Sequence, residues 1–204
     1  KVFWAEIKKH GDVVKFVVEN ANEEIGVDVK KFGNIEAMPG DTIRYDFSDI
    51  RNESNVPLDN FYWRDILPTD AVTLRIISTG TWNEELKYTI YYKTNLVSEE
   101  RALAERLSTS TNNTIDCSAS AVKLKAGEVI TEIRFDFGTV QPGFEPLTNP
   151  YITCLVHPDL PHEYRFKNCT DVGGERGDEW VIDKDCWVTV IYAVPKGKLP
   201  KTGN

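Results

Sequence analysis

The chain of 204 residues is long enough to bury a large hydrophobic core, and its 41% apolar and 27% charged residues are ordinary for a globular protein. The net charge of −8 repels phosphate backbones, so nucleic acid is not an expected partner. No apolar run approaches the roughly 18 residues that a membrane-spanning helix needs. No signal peptide is recognisable, and Lys1 is not a natural start, so we expect a fragment of a longer protein.

The composition favours β-sheet. One methionine stands against five Trp, eight Tyr and nine Phe, and aromatic and β-branched side chains pack well on a pleated surface. The first 20 residues predict two short strands around His10–Asp12, either the tail of a preceding domain or an edge hairpin of this one. We therefore divide the chain into an N-terminal strand pair (1–21), a main domain (22–194) and a linker with a short terminal motif (195–204).

The first strand of the main domain carries an unexpected residue. Val27, Val29 and Lys31 share one face of a period-2 pattern, so Lys31 points to where the core should lie. After a Pro-Gly-Asp turn at 39–41, residues 42–48 alternate apolar and polar, and a loop over 52–59 leads to a return strand over 61–67. Asp65, just before Ile-Leu-Pro, is placed to cap the backbone of the following turn.

The rest of the domain predicts short strands separated by turn residues. These strands cover 72–76, 86–92, 129–137, 151–156, 164–172 and 186–194, with a loop through 173–177. One helix is predicted over 98–107, where Ser98 is a good N-cap and Leu103 and Leu107 share a helix face. This pattern predicts an all-β fold, an antiparallel Ig-like or Greek-key β-sandwich with one inserted short helix.

Four cysteines allow three disulfide connectivities. Cys169 and Cys186 flank the loop of a predicted hairpin, so we expect them to pair, which would add roughly 3 kcal/mol by the loop-entropy model. The alternative is four reduced, partly buried thiols. No C-x-x-C spacing occurs, so a zinc site is not expected.

Two stretches resemble known proteins. The run PGDTIRYDFSDIRNESNVPLDNFYWRDILPTD, with FKNCTDVGG near the end, resembles the β-sandwich repeat of bacterial surface proteins, the DUF11-like family. The resemblance covers about 26–194. The terminal LPKTG is similar to the Leu-Pro-x-Thr-Gly sorting motif of Gram-positive wall-anchored proteins, and its residues are Leu199, Pro200, Lys201, Thr202 and Gly203.

The resemblance implies a sortase as partner. A sortase cysteine would attack the carbonyl of Thr202, release Gly203, and pass the acyl group to an amine of peptidoglycan or to a pilin lysine. The substrate needs an extended segment, and Pro200 favours one by fixing φ and preventing a helix. The alternative is a coincidental linker sequence. The implied location is extracellular, anchored to the cell wall.

The resemblance also implies an internal cross-link, because sandwich domains of such surface proteins sometimes carry a Lys–Asn isopeptide bond formed beside a buried acid. Lys31 and Asn168 are the candidates, since each would be costly to bury alone. Asp65 is preferred over Asp46 as the acid, because alternation turns Asp46 outward. The alternative is that Lys31 reaches the sheet edge and Asn168 bonds to a loop backbone.

Other candidate sites have simpler alternatives. His157 and His162 could bind a metal, and the acidic residues of 171–179 and 183–185 could bind calcium, but solvated loops are expected and no metal is predicted. Phe61-Tyr62-Trp63 places rings on both faces of a strand, so Tyr62 with Tyr91 could form a sugar-stacking platform. The alternative is a covered domain contact.

We expect no enzymatic activity and no cofactor, because the sequence has no nucleophile motif, phosphate-binding loop or convincing carboxylate pair. The interpretation favoured by the sequence is a non-catalytic stalk or spacer module of a sortase-anchored surface protein. The alternative is an adhesin module that binds a host glycan or protein through Tyr62 and Tyr91.

Overall fold

The computed structural model of the chain describes residues 2–9, 12–19 and 22–193. Within these ranges the protein is a β-sandwich of antiparallel strands with one short helix, as the sequence predicted. The proposed sorting motif, Leu199–Gly203, lies outside the described residues, as does the linker before it.

Sixteen strands and one helix make up the described chain. The strands are β1 (Val2–Lys9), β2 (Asp12–Glu19), β3 (Val27–Gly33), β4 (Glu36–Ala37), β5 (Thr42–Asn52), β6 (Leu58–Ile66), β7 (Val72–Ser78), β8 (Thr81–Trp82), β9 (Lys87–Thr94), β10 (Arg101–Ser108), β11 (Thr114–Asp116), β12 (Ile130–Val140), β13 (Pro146–Thr148), β14 (Tyr151–Val156), β15 (Arg165–Arg176) and β16 (Glu179–Ile191). The helix α1 covers Ala119–Val122.

Two large sheets face each other. The seven-stranded sheet has the order β10-β9-β12-β6-β15-β16-β4, and the five-stranded sheet has the order β11-β7-β14-β5-β3. All pairings in them are antiparallel except the short contact between β16 and β4, which is parallel. The strand pairs β1–β2 and β8–β13 form separate two-stranded sheets.

Aromatic side chains from both sheets fill the space between them. Trp63 of β6 packs against Phe47 of β5, with ring centres 4.6 Å apart, and against Phe135 of β12 at 4.5 Å. A second group forms around Trp82, which stacks on Phe144 at 5.1 Å. These contacts explain why alternating aromatic positions in the sequence mark the inward face of each strand.

Two aspartates close one side of the sandwich. The Asp183 carboxylate of β16 accepts a hydrogen bond from the Val29 amide of β3 (3.1 Å), and Asp185 accepts one from the Lys31 amide (2.8 Å). The acidic run that we expected to be a solvated loop is therefore part of a strand. The Asp-Lys-Asp spacing of residues 183–185 puts both carboxylates on one face of the strand. This spacing is the sequence signal from which the shared role of the two aspartates could have been predicted.

The helix predicted over 98–107 is wrong, because this segment forms β10 and pairs with β9. Leu103 and Leu107 are four residues apart, a spacing that repeats on one face of a strand as well as of a helix. An isolated ten-residue helix is marginal, whereas pairing with β9 satisfies the backbone groups. The helix that does form, α1, is four residues long and is capped by Ser118.

The predicted loop through 173–177 is also mostly strand, since β15 continues through Gly173 and Gly174. A Cβ at Gly173 would lie 2.8 Å from the Tyr62 ring, and one at Gly174 would lie 3.1 Å from the Leu58 Cβ. These glycines allow β15 to approach its neighbours closely rather than to turn.

Within the part of the chain that the structure describes, no helix is long and apolar enough to cross a membrane.

Gly33→Ala should destabilise the fold by about 1–3 kcal/mol, because a Cβ there would overpack the core. That atom would lie 2.6 Å from Cδ1 of the buried Tyr45 ring, which cannot move aside freely. Gly26→Ala is the matched control, since its nearest neighbour would be at an ordinary 3.7 Å. Thermal unfolding of both variants checks this, and equal midpoints would contradict it.

Candidate functional site

Three polar side chains meet inside the sandwich, and we call Lys31, Asp65 and Asn168 the Lys–Asp–Asn cluster. Lys31 projects from β3 of the five-stranded sheet, while Asp65 on β6 and Asn168 on β15 belong to neighbouring strands of the other sheet. The alternation of β3 turns Lys31 inward, as predicted. The Val27, Val29 and Lys31 side chains on this face of β3 are all buried. The cluster therefore spans the two sheets.

Asp65 lies at the centre of the cluster. Lys31 Nζ donates to Asp65 Oδ1, and Asn168 Nδ2 donates to Asp65 Oδ2 at 3.1 Å. Exposure is 1% for Lys31 and 0% for both Asp65 and Asn168. The alternative that Lys31 reaches the sheet edge and Asn168 bonds to a loop backbone is therefore wrong. The prediction that Asp65 caps the following turn is also wrong, because its two oxygens accept from Lys31 and Asn168.

The surroundings of the amine are apolar and aromatic. Lys31 Nζ lies 4.6 Å from the centre of the Tyr45 ring and 4.3 Å from that of Phe47. Ring faces attract a cation, but they replace only part of the hydration that the ammonium loses on burial. The amine thus has one strong acceptor, Asp65, in a medium of low dielectric constant.

Burial favours the neutral form of both Lys31 and Asp65. It lowers the pKa of Lys31 against the opposing attraction of Asp65, and it raises the pKa of Asp65 against the opposing contributions of Lys31 and Asn168. Both directions favour transfer of the proton from the ammonium to the carboxylate. The cluster can then present an unprotonated amine beside a carboxylic acid.

Asn168 is incompletely satisfied. Among the described residues, its Oδ1 has no hydrogen-bond partner although the atom is buried. An unpaired acceptor in the interior typically costs about 1–3 kcal/mol. The Asn168 side chain therefore contributes less to stability than an amide with all its hydrogen bonds satisfied would.

Asp46, the second candidate acid, faces outward as the alternation predicted. Its carboxylate accepts a hydrogen bond from Arg44 Nε at 2.9 Å, and its side chain is 41% exposed. It lies outside the Lys–Asp–Asn cluster, so Asp65 is the acid in the site.

A disulfide lies next to the cluster in the sequence. Cys169, which follows Asn168, is bonded to Cys186 of β16, and the two Cα atoms are 4.1 Å apart. Cys117 and Cys154 are buried and reduced. Burial raises the pKa of Cys117 to about 12 and also raises that of Cys154, so neither thiol forms a reactive thiolate near neutral pH.

Tyr62 and Tyr91 flank β12 on the outer face of the seven-stranded sheet, opposite Asp136 and Arg134 respectively. The Arg134 guanidinium lies 5.0 Å from the centre of the Tyr91 ring and also donates to Asp136 at 3.0 Å. Charged side chains thus occupy the space between the two rings. The structure separates the two halves of the expected stacking platform by a strand.

The candidate metal ligands are not brought together. His157 Nε2 is 3.1 Å from Thr73 Oγ1, while the His162 ring packs edge-on against Tyr192 at 5.1 Å. In the described ranges no group of three or more His, Cys, Asp or Glu side chains could hold a metal ion.

Removing the lysine should make stability depend on pH. In Lys31→Met, burial acts unopposed by Lys31 on the pKa of Asp65, whose ordinary value is 3.8, and keeps the carboxyl protonated in the folded state. The unfolded chain releases this proton, so stability should fall above about pH 4, by up to about 1.4 kcal/mol per pH unit. The fall should stop once the pH passes the folded-state pKa.

The matched control is Lys31→Met with Asp65→Asn, which keeps an acceptor for Asn168 and has no group to titrate there. Neither variant contains Lys31, so neither can be cross-linked at this position. Urea unfolding between pH 4.5 and 8 should show a decline for the single variant and a flatter curve for the double one. Parallel curves would contradict the buried position of Asp65.

Neither a family model nor a curated protein matches the sequence. The solved structures similar to the chain include AvmM, described as catalysing macrocyclization in alchivemycin A biosynthesis, with 9% identity, coverage of 95% of this chain and 98% of AvmM, and a TM-score of 0.32. They also include AggA, the major subunit of aggregative adherence fimbriae type I of Escherichia coli, with 9% identity, coverage of 85% and 97%, and a TM-score of 0.30. Scores this low transfer no function to this chain.

Proposed function

We propose that this chain is a non-catalytic, load-bearing stalk module of a sortase-anchored Gram-positive surface protein, strengthened by an isopeptide bond between Lys31 and Asn168. The observation that carries the proposal is the buried Lys–Asp–Asn cluster. A stalk module must resist force along its chain, and a covalent bond between its two sheets serves that purpose directly. The location and the sortase partner are proposed from the LPKTG motif.

The cross-linking step uses only groups within the cluster. The unprotonated Lys31 Nζ attacks Asn168 Cγ, a new C–N bond forms, and Nδ2 leaves as ammonia. Protonated Asp65 donates to the amide as negative charge develops, and it recovers a proton from the attacking amine. Bringing the reacting groups together in a dry interior replaces most of the entropy cost of an intermolecular reaction.

The unpaired Asn168 Oδ1 fits this role. A half-turn of the side-chain amide exchanges Oδ1 and Nδ2, which are nearly indistinguishable in shape. Either atom can then face Asp65, so the acid can polarise the carbonyl before attack and protonate the leaving nitrogen afterwards. The Asn168 amide, whose oxygen lacks a hydrogen-bond partner, is therefore well placed to act as an electrophile.

The product would connect elements far apart in the sequence. β3 is the first strand of the main domain, and β15 is the penultimate one. A bond between them converts the buried amine and the primary amide into one neutral secondary amide and joins the two sheets. Unfolding of the segment between Lys31 and Asn168 would then no longer lengthen the chain under tension.

The cross-link predicts that the purified chain, with its disulfide reduced, is lighter than its sequence mass by one ammonia. Lys31→Met and Asn168→Ala should have their full calculated masses. Asp65→Asn should remain largely unreacted, because it cannot relay the proton. Intact-mass spectrometry measures the loss, and a tryptic fragment joining the Lys31 and Asn168 peptides locates it.

Lys30→Met is the matched control, because Lys30 is the neighbouring residue and its side chain is 51% exposed. It should lose ammonia as the wild type does. An unshifted wild-type mass would overturn the cross-link, and an ammonia loss that persists in Lys31→Met would assign it to another residue.

Attachment predicts a separate result with sortase and an amine nucleophile. The full chain should lose Gly203 and Asn204 and gain the amine on the carbonyl of Thr202. Pro200→Ala should reduce this conversion at least tenfold, whereas Lys201→Ala, at the variable position of the motif, should leave it nearly unchanged. Mass spectrometry of the product decides the outcome, and equal conversion of both variants would contradict the assignment.

A further inference from the structure

We propose that the Cys169–Cys186 disulfide completes the load path that the Lys31–Asn168 bond begins, so that tension crosses the domain through two consecutive covalent bridges and depends on the redox state of the disulfide. The inference rests on the proposed cross-link. It assigns the disulfide a mechanical role that the cross-link alone cannot fill.

The acceptor strand explains why one bridge is insufficient. Asn168 lies on β15, whereas the chain leaves the domain through the next strand, β16, which ends at Ile191. β15 and β16 form an antiparallel hairpin that turns after Arg176. Force entering at Asn168 and leaving at Ile191 therefore pulls on the open end of this hairpin.

Pulling on the open end loads the hairpin in its weakest direction. The pairs break one after another from the open end, beginning at Arg165–Val190 and proceeding through Asn168–Trp187 towards Gly177. Each step breaks few hydrogen bonds, so the resistance of the whole ladder is never engaged at one time. On its other side, β16 pairs with β4 only at Val190 and Ile191, and Asp183 and Asp185 accept single hydrogen bonds from β3 rather than forming a ladder with it.

The disulfide occupies the position that stops this opening. In the register, Cys169–Cys186 is the pair immediately after Asn168–Trp187. Once tension reaches Asn168, it passes through one peptide bond to Cys169, across the sulfur bridge to Cys186, and out along β16. The hairpin beyond this pair is then shielded from load.

Reduction of the bridge would remove the shielding. Cys169 and Cys186 are each half-buried, so a small dithiol can reach the sulfur atoms. The dithiol supplies two electrons and two protons, the S–S bond becomes two thiols, and the dithiol closes into its own disulfide. The Lys31–Asn168 amide is unaffected by this exchange.

Single-molecule force spectroscopy on the full chain, held by handles at its two ends, tests the inference. The oxidised protein should show no extension step from the hairpin. With dithiothreitol, a step of about 60 Å should appear, because the bridge closes a loop of sequence separation 17 and an extended chain spans about 3.5 Å per residue. Cys169→Ser with Cys186→Ser should show the same step without reductant.

The outcomes separate this inference from the cross-link on which it rests. A step of about 450–500 Å in the oxidised wild type, the length of chain between Lys31 and Asn168, would overturn the cross-link and the inference with it. Absence of the short step in both the reduced protein and the double variant would overturn the role of the disulfide alone. Cys117→Ala, which removes a thiol outside the bridge, should behave as the wild type.

Discussion

The burial of Lys31 between two β-sheets is the constraint on which the rest of this structure depends. Removing an ammonium from water costs several kcal/mol even after relaxation, and the rings of Tyr45 and Phe47 return only part of it. Asp65 supplies the remaining compensation at the centre of the cluster. Such an arrangement is weak as a stabilising device, because apolar side chains of similar volume would serve as well.

The cluster makes more sense as a reactive group than as a salt bridge. The same desolvation that makes the charge pair costly moves the proton towards Asp65 and leaves a nucleophilic amine beside an amide. In the proposed product Lys31 can no longer carry an ammonium charge, so the interior loses its most expensive group. The cost of burying Lys31 would then be borne only until the bond forms.

Several connections between β3, β15 and β16 lie close to Lys31 and Asn168. Asp183 and Asp185 of β16 accept hydrogen bonds from the Val29 and Lys31 amides of β3, and the disulfide ties β16 to β15 beside Asn168. The first and last strands of the main domain are therefore held together near one place, by carboxylates, sulfur and the proposed amide. In the proposed stalk role the domain is loaded through its two ends and needs its strongest connections there.

Much of this fold follows from local patterns in the sequence. Period-2 alternation identified most of the core strands, placed Lys31 inward and turned Asp46 outward, because side chains of a strand alternate between faces regardless of its partners. The segment 98–107 was mistaken for a helix because the spacing of Leu103 and Leu107 suits both periods, and only pairing with β9 distinguishes them. The glycines at 173 and 174 suggested a loop, although they permit close strand packing.

The sequence by itself determined that Lys31 and Asn168 lie on strands and share a face with apolar residues, and that Cys169 and Cys186 would flank a hairpin loop. Only the tertiary structure decided that Lys31, Asp65 and Asn168 meet, since they come from two sheets and lie 34 and 103 residues apart along the chain. Strand order and sheet facing arise from long-range packing, which no local period encodes. Tertiary structure likewise decided that Asp183 and Asp185 bind the β3 backbone and that Arg134 fills the space between Tyr62 and Tyr91.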